Sequence, residues 1–254
     1  MTLKLNIHIL LLCSVFIAFI GCKQEQYSVS RVDASTVTVD RNIKEDTTVT
    51  AFIAPYKERV DKEMDSTLAY APVSISKKDS KYNTAIGNMM ADAVFELANP
   101  VFESRTGYPF NAVLLNYGGI RAPLYKGNVT TGTAYELMPF ENEVVVVELS
   151  GFQMKELFAY LAHGTAHPIS NLQVILNEDG SLKKGLIQGQ EIIDNETYFI
   201  ATSDYLQKGG DNMTFLSKPV SLLTLDYKIR NVLIDYFKKQ DTIAPVRDDR
   251  FIKE

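Results

Sequence analysis

The sequence predicts an α+β domain, a mixed β-sheet packed with helices, and three observations carry this reading. Apolar runs of strand length, such as Val144 to Val147, are interspersed with segments of helical periodicity in no strict βαβ order, so regular parallel winding is not the organising pattern. Both cysteines of the 254-residue chain fall within the first 22 positions, which leaves no thiol for a disulfide, a metal or a nucleophile in the rest. The remaining roughly 230 residues must therefore hold together by core burial, and they suffice for one domain with a proper core.

The N-terminus reads as an export signal. Lys4 precedes a mostly apolar run from Leu5 to Ile20, and Gly21 then Cys22 close it. The run lies near the lower length limit for a membrane span, so an uncleaved anchor is the other reading. A small residue directly before a cysteine is the processing pattern of bacterial lipoproteins, in which Cys22 becomes the lipidated N-terminus of a chain held at a membrane outside the cytoplasm. Lys23 in place of Asp favours the outer membrane. Lys4 is the only formal charge before Cys22, so removal of 1–21 takes the net charge from −5 to −6. An acidic chain argues against nucleic acid polymers and anionic lipid surfaces as partners, leaving the lipid as the membrane contact.

Residues 22–46 are polar and lack a helical stripe, so they read as a flexible tether with a short strand at 35–39; the domain proper begins at 47. Val49, Phe52, Ile53, Tyr56, Val60 and Met64 fall at helical spacing and predict an amphipathic helix to about Leu68, interrupted by Pro55. Ile86, Met89, Met90, Ala93, Val94 and Leu97 predict a core-facing helix that Asn99 and Pro100 stop. Asn111 to Asn116 is a short apolar strand running into Gly118 and Gly119. After a turn at 126–131 comes a strand from Glu143 to Leu149, whose valine run predicts burial on both faces. Ser150 and Gln153 form a capping box for a helix carrying Met154, Leu157, Phe158 and Leu161. Strands at Leu172–Leu176 and Tyr198–Ser203 follow, the first entering a hairpin through Asp179 and Gly180. A last helix presents Ile229, Val232, Leu233, Tyr236 and Phe237.

Two predicted strands thus empty into glycine pairs with polar neighbours, Asn116 to Arg121 and Tyr205 to Asp211. Glycine pairs allow close approach of the backbone, Arg121 can hold an anionic oxygen in a fork, and Asp211 can accept two hydroxyl protons. Phe140 and Tyr205 could supply two faces for a flat ring. Together these groups suit a nucleoside carrying a phosphate. Each taken singly is more commonly a turn, a solvated charge or core filler. His163 and His167 have the spacing of a helical metal pair, but Gly164 between them and Pro168 after them place them at a helix end, where a solvated pair is expected.

Asn116, Tyr117, Gly118, Gly119, Ile120 and Arg121, then Pro139 and Phe140, then Tyr205 to Gly209, Gly210 and Asp211, resemble in order and spacing the C-terminal domain of the 5'-nucleotidase family. Phe52 to Lys57, Ile86 to Asn88, Ala91 to Ala93 and Leu149 to Gly151 extend the resemblance over about residues 48–254. It implies that the fold is 5'-nucleotidase C-terminal domain-like and that Phe140 and Tyr205 sandwich a base. It also implies that Asn116 bonds the ring, Asp211 takes the ribose hydroxyls and Arg121 faces ribose and phosphate, with Gly118, Gly119, Gly209 and Gly210 shaping the site. Tyr205 stands where many members carry Phe. A further family arginine would fall near Ser80 and is missing, with Lys78 and Lys81 nearby.

In that family a separate N-terminal metallophosphoesterase domain carries two divalent metal ions and the hydrolytic residues. No Asp-X-His or Gly-Asn-His motif occurs here, so neither a catalytic residue nor a metal ligand is expected in this chain. The resemblance therefore implies the recognition domain of an exported split 5'-nucleotidase. A separate metallophosphoesterase subunit would supply the dimetal centre. A non-catalytic nucleoside- or nucleotide-binding lipoprotein is the alternative.

Overall fold

The computed structural model describes residues 27–254, so Cys22, the apolar run before it and the predicted cleavage point lie outside the described residues. Residues 27–46 form no strand, and the one predicted at 35–39 is coil. A five-residue polar stretch with no neighbouring strand has nothing to complete its hydrogen bonds. The compact unit is Ala51–Glu254.

Helix α1 (Thr47–Met64) contains Pro55 and ends four residues short of Leu68. Leu68 belongs instead to strand β1 (Thr67–Ala71), which pairs antiparallel with β3 (Gly127–Thr130). None of the α1 residues is buried, and Phe52 and Tyr56 are 71% and 66% exposed. Helix α2 (Ala85–Thr106) is capped by Thr84, whose hydroxyl accepts the Gly87 N–H. Contrary to the stop expected at Asn99 and Pro100, it runs straight through both and ends at Gly107 with φ +85°. The proline costs about 3 kcal/mol in a helix interior. Burial beyond it offsets this, because Phe102 is 2% exposed and packs edge-on against Phe110 and near Phe199. The Asn99 side chain serves a tertiary contact, accepting the Phe110 N–H at 2.9 Å.

Five strands form the main sheet in the order β10 (Ser221–Lys228), β4 (Glu143–Ser150), β9 (Thr197–Ser203), β2 (Ala112–Leu114) and β5 (Ile169–Ser170). Both faces are covered. Val144, Val146, Val113 and Ala201 join a cluster with α2 and α6 (Ile229–Lys239), while Val147, Leu149, Leu114 and Ile200 join a second with α4 (Gly151–Leu161). All four valines of β4 are buried, as the run predicts. The capping box before α4 forms in both directions, Gln153 N to Ser150 Oγ at 3.3 Å and Ser150 N to Gln153 Oε1 at 3.1 Å. A second, unexpected box uses Thr130 and Thr133 to start α3 (Thr131–Leu137). The smaller sheet runs β11 (Phe251–Lys253), β6 (Leu172–Leu176), β7 (Leu182–Ile187), β8 (Gln190–Glu191). Its β6–β7 hairpin turns at Gly180, with φ +88°.

The order of the main sheet positions three loops. Strands β2 and β9 are parallel neighbours, so their C-terminal ends share an edge; β4 is antiparallel to β9, with Val144 opposite Ser203, so β4 begins at that edge. The segments 116–121, 140–142 and 204–212, the last opening with the short helix α5 (Asp204–Gln207), are therefore brought together by topology, outside the carboxyl ends of parallel strands.

Candidate functional site

At this edge lies a cavity of about 300 Å³ lined by Asn116, Gly118, Gly119, Arg121, Phe140, Asn142, Tyr205 and Asp211. Seven of these were singled out from the sequence, whereas Gly209 and Gly210 do not line it. Gly209 sits at φ +89°, the left-handed region where glycine carries no Cβ penalty. A Cβ on Gly210 would come within 2.5 Å of the Tyr205 ring. The second glycine pair thus makes room for the protein's own aromatic side chain.

Asp211 is the hub of the cavity. Its Oδ1 accepts the Tyr205 hydroxyl at 2.8 Å and its Oδ2 accepts the Asn116 amide at 2.8 Å. The Tyr205 oxygen in turn accepts the Asp211 N–H at 3.2 Å, and the Asp211 carbonyl accepts the Tyr160 hydroxyl at 2.8 Å. These bonds hold Asp211 at φ +52°, a left-handed conformation that needs support in a residue with a side chain. Each carboxylate oxygen keeps a second acceptor position. The bond to Asp211 also raises the Tyr205 hydroxyl above the ordinary tyrosine pKa.

Phe140 is 40% and Tyr205 44% exposed, so both rings remain open to a ligand. The Arg121 guanidinium carbon lies 5.7 Å from the Phe140 ring centre, and one of its nitrogens is 3.5 Å from the Gly118 carbonyl oxygen. The Phe140 loop is held from two sides. Asn142 donates to Asp204 Oδ1 at 2.9 Å, and the same oxygen accepts the Glu143 N–H. On the other side Arg230 donates to the Phe140 carbonyl and pairs with Glu141, as does Lys228. Arg230 carries no local signal in the sequence, whereas Asp204, directly before Tyr205, and Asn142, two residues after Phe140, lie within the motif segments without being assigned a role there.

His167 corrects the expectation of a solvated histidine pair. It is 7% exposed, its Nδ1 accepts the Tyr117 N–H at 3.2 Å, and its ring packs on Tyr160. Burial lowers its pKa to about 4, against smaller upward effects from the Asp211 charge and a hydrogen bond with Leu115. His163 is exposed, so the two histidines stand in unlike surroundings, one solvated and one buried. Among the described residues no group of three or more His, Cys, Asp or Glu side chains could hold a metal ion, so the donors do not fit a dimetal centre. Neither Lys78 nor Lys81 lines the cavity.

A larger groove of about 650 Å³ lies between α1 and α6, lined among others by Arg59, Glu63, Tyr135, Asp235 and Lys238. It mixes both charge signs, and its aromatic ring is already covered by Arg230 at 4.1 Å. Size therefore does not single it out as the ligand site.

The fold and the strand-end cavity define a two-faced α+β domain with a ligand-sized cleft lined by two aromatic rings and a few polar groups. The chain belongs to the family described as 5'-nucleotidase, C-terminal domain, whose model matches residues 64–218. Full-length members of that family are catalytic. An apyrase of Tabanus yao is 26% identical over 87% of this chain and 44% of its own length. A cell wall protein of Listeria monocytogenes is 25% identical over 86% of this chain and 30% of its own length. A 5'-nucleotidase precursor from Thermus thermophilus has the same fold, with a TM-score of 0.67 at 22% identity over 82% of this chain and 43% of that one. The chain spans less than half the length of these relatives.

Proposed function

We propose that this chain is the nucleotide-recognition domain of an exported split 5'-nucleotidase-type hydrolase, whose dimetal catalytic centre is supplied by a separate metallophosphoesterase chain. The observation that carries the proposal is the convergence of Asn116, Arg121, Phe140, Tyr205 and Asp211 on one cavity in a chain of this family. Phe140 and Tyr205 stack the base, Asn116 bonds its edge, Asp211 accepts the ribose hydroxyls on its two spare acceptor positions, and Arg121 faces the phosphate. The chain itself then binds and orients, and bond cleavage belongs to the partner.

The apolar run and Cys22 support export with removal of 1–21, lipidation of Cys22, and a tether over 22–46 that carries the domain 47–254 at the outer membrane. The relative named as a cell wall protein is consistent with a life outside the cytoplasm. Tethering both chains to one surface raises their effective concentration, so a weak interface suffices to assemble the enzyme.

Reconstitution tests this reading. Phosphate release from AMP is measured with divalent metal for this chain, for an exported metallophosphoesterase encoded in the same genome, and for the mixture. Release by the mixture alone is expected. Equal release by the partner without this chain would refute the split enzyme. The second reading is a lipoprotein that binds nucleosides without catalysis, favoured by the two aromatic faces and the Asp211 acceptors that this chain supplies. Tight AMP binding with no stimulation of any partner would establish it.

A further inference from the structure

We infer that the Tyr205 hydroxyl makes the cavity tolerant of a missing ribose hydroxyl, so that it takes deoxyribonucleotides as well as ribonucleotides; this rests on the nucleotide reading of the cavity. Tyr205 and Asp211 both line it. The phenol is engaged in both directions with this one residue. Its oxygen accepts the Asp211 N–H at 3.2 Å, and its single proton goes to Asp211 Oδ1 at 2.8 Å. The other carboxylate oxygen, Oδ2, takes the Asn116 amide at 2.8 Å, while Tyr160 reaches the same residue at its backbone carbonyl. Each oxygen that would receive a ribose hydroxyl therefore already has a donor from the protein. The bond to Asp211 raises the Tyr205 pKa, so the phenol keeps its proton throughout the neutral range.

A site rejects an analogue that lacks a hydroxyl chiefly because the group that should have met it is left unpaired once the ligand has displaced water. With phenylalanine at 205, Oδ1 would stand in that position, a charged acceptor whose only partner is the ligand. The tyrosine hydroxyl removes this penalty in advance. Oδ1 stays paired whether the ligand hydroxyl comes or not, and a hydroxyl that does come is a second donor on an oxygen whose charge is already shared, which weakens the new bond. The latch is set before a ligand arrives, because the left-handed Gly209 and the missing Cβ of Gly210 let the Tyr205 ring fold back on its own loop. The ring meanwhile remains nearly half exposed. One side chain thus offers a face to the base and separately satisfies the carboxylate that faces the sugar.

The test is calorimetric titration of the full chain and its Tyr205→Phe variant, which keeps the ring and removes only the hydroxyl, with adenosine, 2'-deoxyadenosine and 3'-deoxyadenosine. The wild type is expected to bind all three within about threefold, and in Tyr205→Phe the gap between adenosine and at least one deoxynucleoside should widen to roughly tenfold or more, the value of one hydrogen bond to a charged group. A wild-type preference for adenosine over 2'-deoxyadenosine of about tenfold or more would overturn the inference. So would an equal weakening of all three ligands in Tyr205→Phe, or no change in it, since a mere prop for the loop leaves the ratios as they were. If the wild type binds none of them, the nucleotide reading of the cavity fails on its own account. The latch is then judged with ribose 5-phosphate and 2-deoxyribose 5-phosphate as probes, by the NMR shift of the ¹³C-labelled Asp211 carboxyl. Like saturable shifts from both in the wild type that become unlike in Tyr205→Phe uphold it; unlike shifts in the wild type, shifts that remain alike in the variant, or no shift at all overturn it.

Discussion

Gly118 and Gly119 follow β2, Gly209 and Gly210 follow β9, and the two pairs differ in what fills the space beside them. At the first pair a Cβ would meet the amide end of Asn116, at 3.3 Å from Gly118 and 2.9 Å from Gly119. That neighbour is a polar group at the end of a side chain. At the second pair Gly209 needs its positive φ, while a Cβ on Gly210 would enter the Tyr205 ring at 2.5 Å. The first loop leaves open space for a ligand, and both its glycines line the cavity; the second folds an aromatic ring onto itself and presents only Tyr205 and Asp211. A glycine pair read from sequence as room for a ligand is thus in one case room for the protein's own side chain, which sets the direction of the ring and of the carboxylate.

The two loops also stand on different supports, the first on His167 through the Tyr117 N–H and the second on Tyr160 through the Asp211 carbonyl. The largest expected effect is at the hub the loops share. Asp211→Ala removes the carboxylate that orders both Tyr205 and Asn116, and should weaken nucleoside binding by roughly 100-fold in a calorimetric titration, the equivalent of about 3 kcal/mol. Next comes the pH dependence of the first support. His167 is neutral in the folded chain down to about pH 4, while the unfolded chain takes up that proton near pH 6.5. Stability from this group is therefore complete above about pH 6.5 and is lost progressively as the pH falls towards 4. Between pH 7 and pH 5 urea unfolding should show a decrease of about 2 kcal/mol that His167→Gln abolishes.

Gly210→Ala sharpens the comparison directly, because the ring must swing away from its loop. Binding of adenosine should weaken about tenfold through misdirection of Tyr205 and Asp211, with a native circular dichroism spectrum, since the ring is nearly half exposed and has solvent to move into. Gly119→Ala should cost less, about threefold, because an amide end can yield by a few tenths of an ångström. Equal effects of the two alanines would break the distinction between the loops.

Elements set by local pattern were legible in the sequence. The valine run of β4 predicts two-sided burial because period-two alternation vanishes when both faces are covered, and Ser150 with Gln153 marks the start of α4 by its own chemistry. Elements decided by distant contacts were not. Helix α2 passes Pro100 because Phe102 meets Phe110 and Phe199, a condition no local rule contains. Strand β10 was missed because it abuts the helical pattern of α6 and carries an irregularity near Asp226, at φ +55°. At the site, the ends of β2 and β9 were visible as apolar runs emptying into polar, glycine-rich segments. The groups that hold them, His167 to Tyr117, Asp204 to Asn142 and Arg230 to Phe140, are 50, 62 and 90 residues apart, and only the sheet order brings them together.

The central claim, that these two unlike loops enclose a nucleotide between them, is tested most directly by amide chemical shifts of ¹⁵N-labelled chain titrated with AMP. Saturable shifts confined to Gly118, Gly119, Asn142 and Asp211 and their immediate neighbours, and absent in Asp211→Ala, are the predicted result. Shifts around Arg59 and Asp235 with none at the strand-end cavity would contradict it.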